Sequence, residues 1–125
     1  YQPDNVFLFD FISRMDLAYA VSDLVISRAG AGTISELCIT GKESILVPSP
    51  NVAEDHQTKN AMALVESDDA ILVKYLEADS KLLKTALTLI MNDIELEKYS
   101  KNIQKMAKHN SACVIAGEVL KFCRN

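Results

Sequence analysis

The chain reads as an α/β domain: a Rossmann-like parallel sheet of about four strands with flanking helices, ending in a helical tail. Three observations carry that reading. Short apolar runs with β-branched and aromatic residues recur at 6–11, 24–26, 44–47 and 70–73. Stretches of helical periodicity separate them, and strands that alternate with helices pair in parallel. Beyond residue 80, three helical patterns follow one another with no strand between them.

Residues 6–11 form the first expected strand, and a helix over 13–21 follows, with Met15, Leu17, Ala18 and Val21 turned inward and Asp23 near its end. After the strand at 24–26, Ile34, Leu37, Cys38 and Gly41 recur at helical spacing. This second helix is expected to start at Thr33 and to stop at Gly41, a glycine where a left-handed C-terminal residue belongs. The strand at 44–47 ends in Pro48-Ser49-Pro50-Asn51, which cannot continue a ladder. A third helix is expected over 55–66, and then the strand at 70–73. In the tail helices at 80–91, 94–108 and 111–122, the core-facing stripes are read as Leu83, Leu87 and Ile90, then Tyr99, Ile103 and Met106, then Ile115, Val119 and Phe122. Four strands are few for a doubly wound sheet, so further sheet partners are expected.

With 125 residues, 49% of them hydrophobic, the chain is one domain or part of one and has the material for a real core. Its net charge of −4 argues against a nucleic-acid surface, and the mild cluster Lys98, Lys101, Lys105 and Lys108 reads as a solvated helix face. Cys38, Cys113 and Cys123 are widely spaced in apolar helical patterns, which reads as reduced core cysteines and suggests neither a disulfide framework nor a zinc site. No apolar run approaches the ~20 residues that span a bilayer, and no signal peptide is visible. A cytoplasmic protein is expected, with peripheral membrane contact left open.

The most informative segment is Ser27-Arg28-Ala29-Gly30-Ala31-Gly32-Thr33-Ile34-Ser35-Glu36, which joins a buried strand to a helix start through small residues. Glycines at 30 and 32 permit positive φ and leave no side chain between a ligand and the backbone N–H groups, which the helix dipole makes attractive to an anion. An ordinary strand-to-helix turn is the competing account. Neither G-x-G-x-x-G nor a P-loop lysine is present, so a dinucleotide fold or an NTPase is not indicated.

Spacing alone favours Glu36 as the far end of a capping box begun by Thr33, over a carboxylate that accepts ribose hydroxyls. Arg28, at the strand's carboxyl end, pairs with a ligand or, more commonly, with a neighbouring carboxylate. The polar run from Glu54 to Asn60 follows the third strand and so shares the sheet edge with the glycine loop. Within it Gln57 and Asn60 suit sugar hydroxyls or helix capping. His56 lacks a visible nucleophile or metal partner, which favours a polar binding or structural role over general-base chemistry. For Phe11 and Ile12, core packing is the simpler reading.

The run Phe11-Ile12-x-x-Met15, then Ala18-Tyr19-Ala20-x-Ser22-Asp23-Leu24-Val25-Ile26-Ser27-Arg28-Ala29-Gly30-Ala31, Thr33-x-Ser35-Glu36 and His56-Gln57-x-x-Asn60-Ala61 resembles the carboxyl-terminal domain of the MurG family. These are two-domain GT-B glycosyltransferases that transfer N-acetylglucosamine from its UDP donor to lipid I in peptidoglycan synthesis. The resemblance runs from Val6 onward. It implies that Ile12 meets the uracil through its backbone, that Ala31 to Glu36 (Ala31, Gly32, Thr33, Ile34, Ser35 and Glu36) surround the diphosphate and ribose, and that Gln57 contacts the sugar, with Arg28, Gly30 and Asn60 beside them. Glu36 and Ile12 thereby move from structural to functional residues.

The resemblance also implies the latter part of a donor-binding domain. The family's acceptor domain, with its own glycine-rich loop and a histidine implicated in catalysis, has no counterpart in the sequence, and neither do the donor domain's first strands. The implied partners are UDP-N-acetylglucosamine and, through the absent domain, lipid I. The implied location is the cytoplasmic face of the bacterial inner membrane, and neither a cofactor nor a metal is implied. Gly32, where relatives carry bulkier residues, and Asp55, where length varies, match less well than Arg28 or Glu36. Another GT-B sugar-nucleotide transferase or epimerase, a separate donor subunit, and a non-enzymatic α/β interaction domain are the alternatives.

Overall fold

The structure, a computed structural model, describes residues 3–50 and 56–123. Three strands, β1 (Val25–Ser27), β2 (Ser44–Leu46) and β3 (Ile71–Leu72), lie side by side in that order. Both pairings are parallel, with Ile26 opposite Ile45 and Leu46 opposite Leu72. The helices are α1 (Met15–Val21), α2 (Ala31–Thr40), α3 (His56–Val65), α4 (Ala78–Ile90), α5 (Asp93–Lys105) and α6 (Ser111–Phe122), and a 3₁₀ turn, Tyr75–Glu77, precedes α4.

Alternation along β2 builds the two layers around the sheet. Leu46 joins Leu37 and Cys38 of α2, Ala61 and Leu64 of α3 and Ile103 of α5 on one face. Ile45 and Val47 point the other way, into a cluster with Val73 and with Leu89 of α4. A strand buried on both faces has no polar side to offer, which is why 45–47 is apolar without alternation. Helix α5 serves both clusters: Leu96 and Tyr99 near its start pack on the second, while Ile103 belongs to the first.

Gly41 ends α2 as its position foretells, with φ of 64° and its N–H bonded to the Leu37 carbonyl. A Cβ there would run into the Gln104 side chain of α5. The preceding turn of α5 is fixed to the same spot, since the Ser100 hydroxyl donates to the Gly41 carbonyl at 2.8 Å.

Five expectations need correction. Residues 6–11 form no strand: among the described residues β1 pairs only with β2, and a strand exists only with a ladder partner. Phe7, Phe9 and Phe11 are consequently 74%, 70% and 83% exposed. In α1 the inward residue is Tyr19, whereas Met15, Leu17 and Val21 are exposed. In α4 the packed stripe is Leu82, Ala86 and Leu89, one residue away from the expected Leu83, Leu87 and Ile90. Two adjacent apolar stripes run along that helix, and periodicity cannot choose between them. The stripe Ile115, Val119 and Phe122 of α6 is exposed, and so is Met106, although Ile103 is fully buried. Finally, only Cys38 is a core cysteine; Cys113 and Cys123 are free and exposed on α6 or just after it.

The lysine face behaves as read. Lys98 pairs with Asp68, Lys101 with Glu97 at 2.6 Å, and all four groups are more than half exposed. Among the described residues no helix is long and apolar enough to cross a membrane.

Candidate functional site at the carboxyl edge of the sheet

The loops that leave β1, β2 and β3 meet at one edge, and side-chain contacts tie them together. The Arg28 guanidinium donates from Nη1 to the Val47 carbonyl at 3.1 Å and lies 4.9 Å from the centre of the Tyr75 ring. One side chain after β1 thus spans the end of β2 and the turn after β3. A backbone carbonyl and an aromatic face hold it, where spacing alone suggested a carboxylate. Beyond β2, the Ser49 N–H donates to Gln57 Oε1 at 2.8 Å. The Asn60 amide donates to the Ala29 carbonyl at 3.3 Å and so fastens α3 to the glycine loop.

That loop delivers the bare N-terminus the small residues point to, by a different route. Helix α2 begins at Ala31, two residues before the expected Thr33, with Gly30 in extended conformation as its N-cap. Neither glycine uses positive φ: among the described glycines only Gly41 does. Their value lies in the space they leave. A Cβ on Gly32 would meet nothing within 4 Å, and one on Gly30 would come no closer than 3.8 Å to Thr33 Oγ1. The first intrahelical bond runs from the Ile34 N–H to the Gly30 carbonyl, so the N–H groups of Ala31, Gly32 and Thr33 precede the ladder. Among the described residues no side chain caps this end and no acidic residue stands in its first turn, so none of them compensates the positive end of the dipole.

Because α2 starts early, Thr33 lies inside the helix and the capping box does not form. Glu36 is held from another direction: the Tyr19 hydroxyl donates to its Oε2 at 2.9 Å. Burial, and then the bond to Glu36, push the Tyr19 phenol up to about 12, so it is a neutral donor at any physiological pH. Ser35 returns its hydroxyl to the Ala31 carbonyl at 3.0 Å and stays exposed at the crevice.

The remaining expected site residues are placed as follows. Ile12 is 40% exposed in the irregular segment before α1, and with its neighbour Phe11 does not serve the core. His56 stands exposed at the start of α3, while Glu54 and Asp55 of the same polar run lie outside the described residues. An open cavity of about 760 Å³ takes in Ala31, Ile34, Ser35 and Asn60 and continues past Cys38 to Met106; Arg28, Glu36 and Gln57 stand away from it. Burial raises the Cys38 thiol pKa, with the nearby Asp69 charge acting in the same direction, so that sulfur is a packing group. Among the described residues no cluster of three or more His, Cys, Asp or Glu side chains is placed to hold a metal ion.

Two functional side chains lie beyond the expected set: Tyr19, which stands in the resembling run without a role of its own, and Tyr75. The signal for Tyr19 was available: it is a large side chain with a polar tip amid small residues of α1, and such a group buries only where its hydroxyl finds a partner. For Tyr75 no local signal exists, since its contact with Arg28 depends on strand order.

An open parallel sheet with flanking helices, whose loops gather at its carboxyl edge, defines an α/β domain of the doubly wound, Rossmann-like class. Comparison with known proteins narrows that class. Residues 1–115 match the glycosyltransferase family 28 C-terminal domain, and the chain belongs to that family. It is 57% identical over 118 residues to a Bacteroides thetaiotaomicron protein named UDP-N-acetylglucosamine–N-acetylmuramyl-(pentapeptide) pyrophosphoryl-undecaprenol N-acetylglucosamine transferase, a match covering 94% of this chain and 32% of that one. A protein of the same name from Flavobacterium psychrophilum is 48% identical over 119 residues, covering 95% and 32%. The crystal structure of Acinetobacter baumannii MurG superposes with a TM-score of 0.83 at 30% identity, over 90% of this chain and 33% of the other. The chain therefore spans about a third of the length of the relatives it matches.

Proposed function

We propose that this chain is the UDP-N-acetylglucosamine-binding portion of a hexosyltransferase that transfers N-acetylglucosamine to lipid I, the lipid-linked muramoyl acceptor of peptidoglycan synthesis. The observation that carries the reading is the uncapped N-terminus of α2, with open space at Gly32 and a positioned Glu36 one turn further in. The names of the relatives support the choice of donor and acceptor.

In the proposed complex the diphosphate lies on the N–H groups of Ala31, Gly32 and Thr33. Glu36 accepts the ribose hydroxyls, the backbone at Ile12 meets the uracil, and Gln57 and Asn60 face the sugar. As the acceptor hydroxyl attacks the anomeric carbon, the glycosidic bond to the diphosphate breaks and negative charge grows on the departing UDP. The positive end of α2 stands where that charge appears and stabilises it without reorganising. No group in these residues is assigned as the base for the acceptor hydroxyl, so the 125 residues alone bind donor without transferring sugar. The full-length protein works peripherally at the cytoplasmic face of the bacterial inner membrane, where its lipid-linked acceptor resides.

Titration calorimetry tests the reading. The chain is expected to bind UDP-N-acetylglucosamine and UDP, and to bind ADP at least about tenfold more weakly, the discrimination that one or two base contacts supply. Equal affinity for ADP and UDP refutes it.

A further inference from the structure

The Glu36 carboxylate is held by a group outside the glycine loop. Tyr19 is 6% exposed, whereas Met15, Leu17 and Val21 on the same short helix are open to solvent. Its ring packs in the cluster with Leu37 and Cys38, and its hydroxyl reaches 2.9 Å from Glu36 Oε2. The contact crosses from α1 to α2, over 17 residues of sequence, and anchors an otherwise exposed carboxylate by one of its two oxygens.

We propose that Tyr19 is a positioning residue for ribose recognition: its hydroxyl fixes the Glu36 carboxylate so that the remaining acceptor capacity receives a vicinal diol. This rests on the donor-binding reading above. The chemistry follows from what a carboxylate can accept. Two oxygens offer about four lone-pair directions, and the phenol occupies one of them. A diol needs two acceptor directions at a set separation, so a glutamate already held by a buried phenol meets it without first losing rotamer freedom. Because burial and Glu36 push the phenol's pKa up to about 12, it stays protonated and the anchor persists throughout the physiological range. The ligand class singled out is a ribonucleoside diphosphate, as distinct from its 2′-deoxy counterpart.

The experiment measures dissociation constants of UDP and 2′-deoxy-UDP for the unmodified chain, Tyr19→Phe, Glu36→Gln and the double variant. Tyr19→Phe keeps the packed ring and removes only the donor. The unmodified chain is expected to prefer UDP. Tyr19→Phe is expected to weaken UDP by roughly 3- to 10-fold, the worth of one hydrogen bond, and to leave 2′-deoxy-UDP unchanged, so that the preference collapses. Adding Tyr19→Phe to Glu36→Gln is expected to cost nothing further, because the two act as a unit. A merely structural Tyr19 weakens both nucleotides equally, and that result, or an unchanged preference, overturns the inference. Failure of the unmodified chain to bind UDP refutes the donor reading and this inference with it, whereas normal UDP binding with an unchanged preference in Tyr19→Phe refutes this inference alone.

Discussion

Helices α2 and α6 are written in similar language and meet different fates. Each is rich in small and aliphatic residues, and each carries one leucine. Leu37 of α2 is completely buried, while Leu120 of α6 is 59% exposed and no residue of α6 is buried. The difference is topological. α2 connects two adjacent parallel strands and must lie across the sheet they form, where α3 and α5 close over it. α6 follows the last element that touches the sheet, and its apolar stripe has nothing in the described residues to rest against. An amphipathic pattern therefore states what a helix can bury and leaves open what it does bury.

The sharpest way to break this contrast is Leu37→Ala. The side chain packs in a cluster with Leu46 of β2 and Ile103 of α5, and all three are fully buried. Truncation is expected to cost about 2–5 kcal/mol, the transfer term plus that of an unfilled cavity, measured as a fall in the urea midpoint at constant slope. A cost below 1 kcal/mol means that the first cluster is not the core the contacts describe.

How much was legible follows the same division. Helices joined by short parallel strands, and the end of α2 at Gly41, could be read because periodicity and a left-handed glycine are local signals. The segment at 6–11 carries a strand's composition, but a strand exists only with a partner, and pairing is not local. The double stripe of α4 shows the limit again, since Leu82 and Leu83 are equivalent until a neighbour chooses one. At the site, the glycines and Glu36 were visible as a set, yet the start of α2 at Ala31 dissolved the expected capping box and left Glu36 to Tyr19. That contact spans α1 and α2 and could not be deduced from spacing.

Tyr19 offers a test of intermediate size, because it attaches the mostly exposed α1 to α2 by one buried ring and one hydrogen bond. Its phenol ionises at 10.0 ordinarily and at about 12 in the fold, so the unfolded chain loses the proton first as pH rises. The stability that depends on a protonated phenol, set by burial first and by the bond to Glu36 second, is thus whole below about pH 10 and is lost as pH climbs through about 12. The stability difference between the unmodified chain and Tyr19→Phe, of about 1 kcal/mol at pH 8, is expected to shrink between pH 10 and pH 12 in paired urea titrations. A difference constant across that range means that neither burial nor Glu36 holds the proton on this phenol.

The smallest effect belongs to Leu120→Ala, and it completes the comparison because the chemical change is identical to that at Leu37. Truncating a side chain that is already 59% exposed removes little buried surface and leaves no cavity. The expected change in this chain is within about 0.5 kcal/mol, and the gain in helix propensity on passing from leucine to alanine offsets part of even that. The measurement is the same urea titration, with α6 content followed separately by amide exchange, since a helix with no buried residue opens without the rest of the fold. Amides of α6 are expected to exchange far faster than those of α2 in both proteins. Protection of α6 comparable to that of α2, or a loss near that of Leu37→Ala, shows that α6 shares in the core and that topology does not separate the two helices.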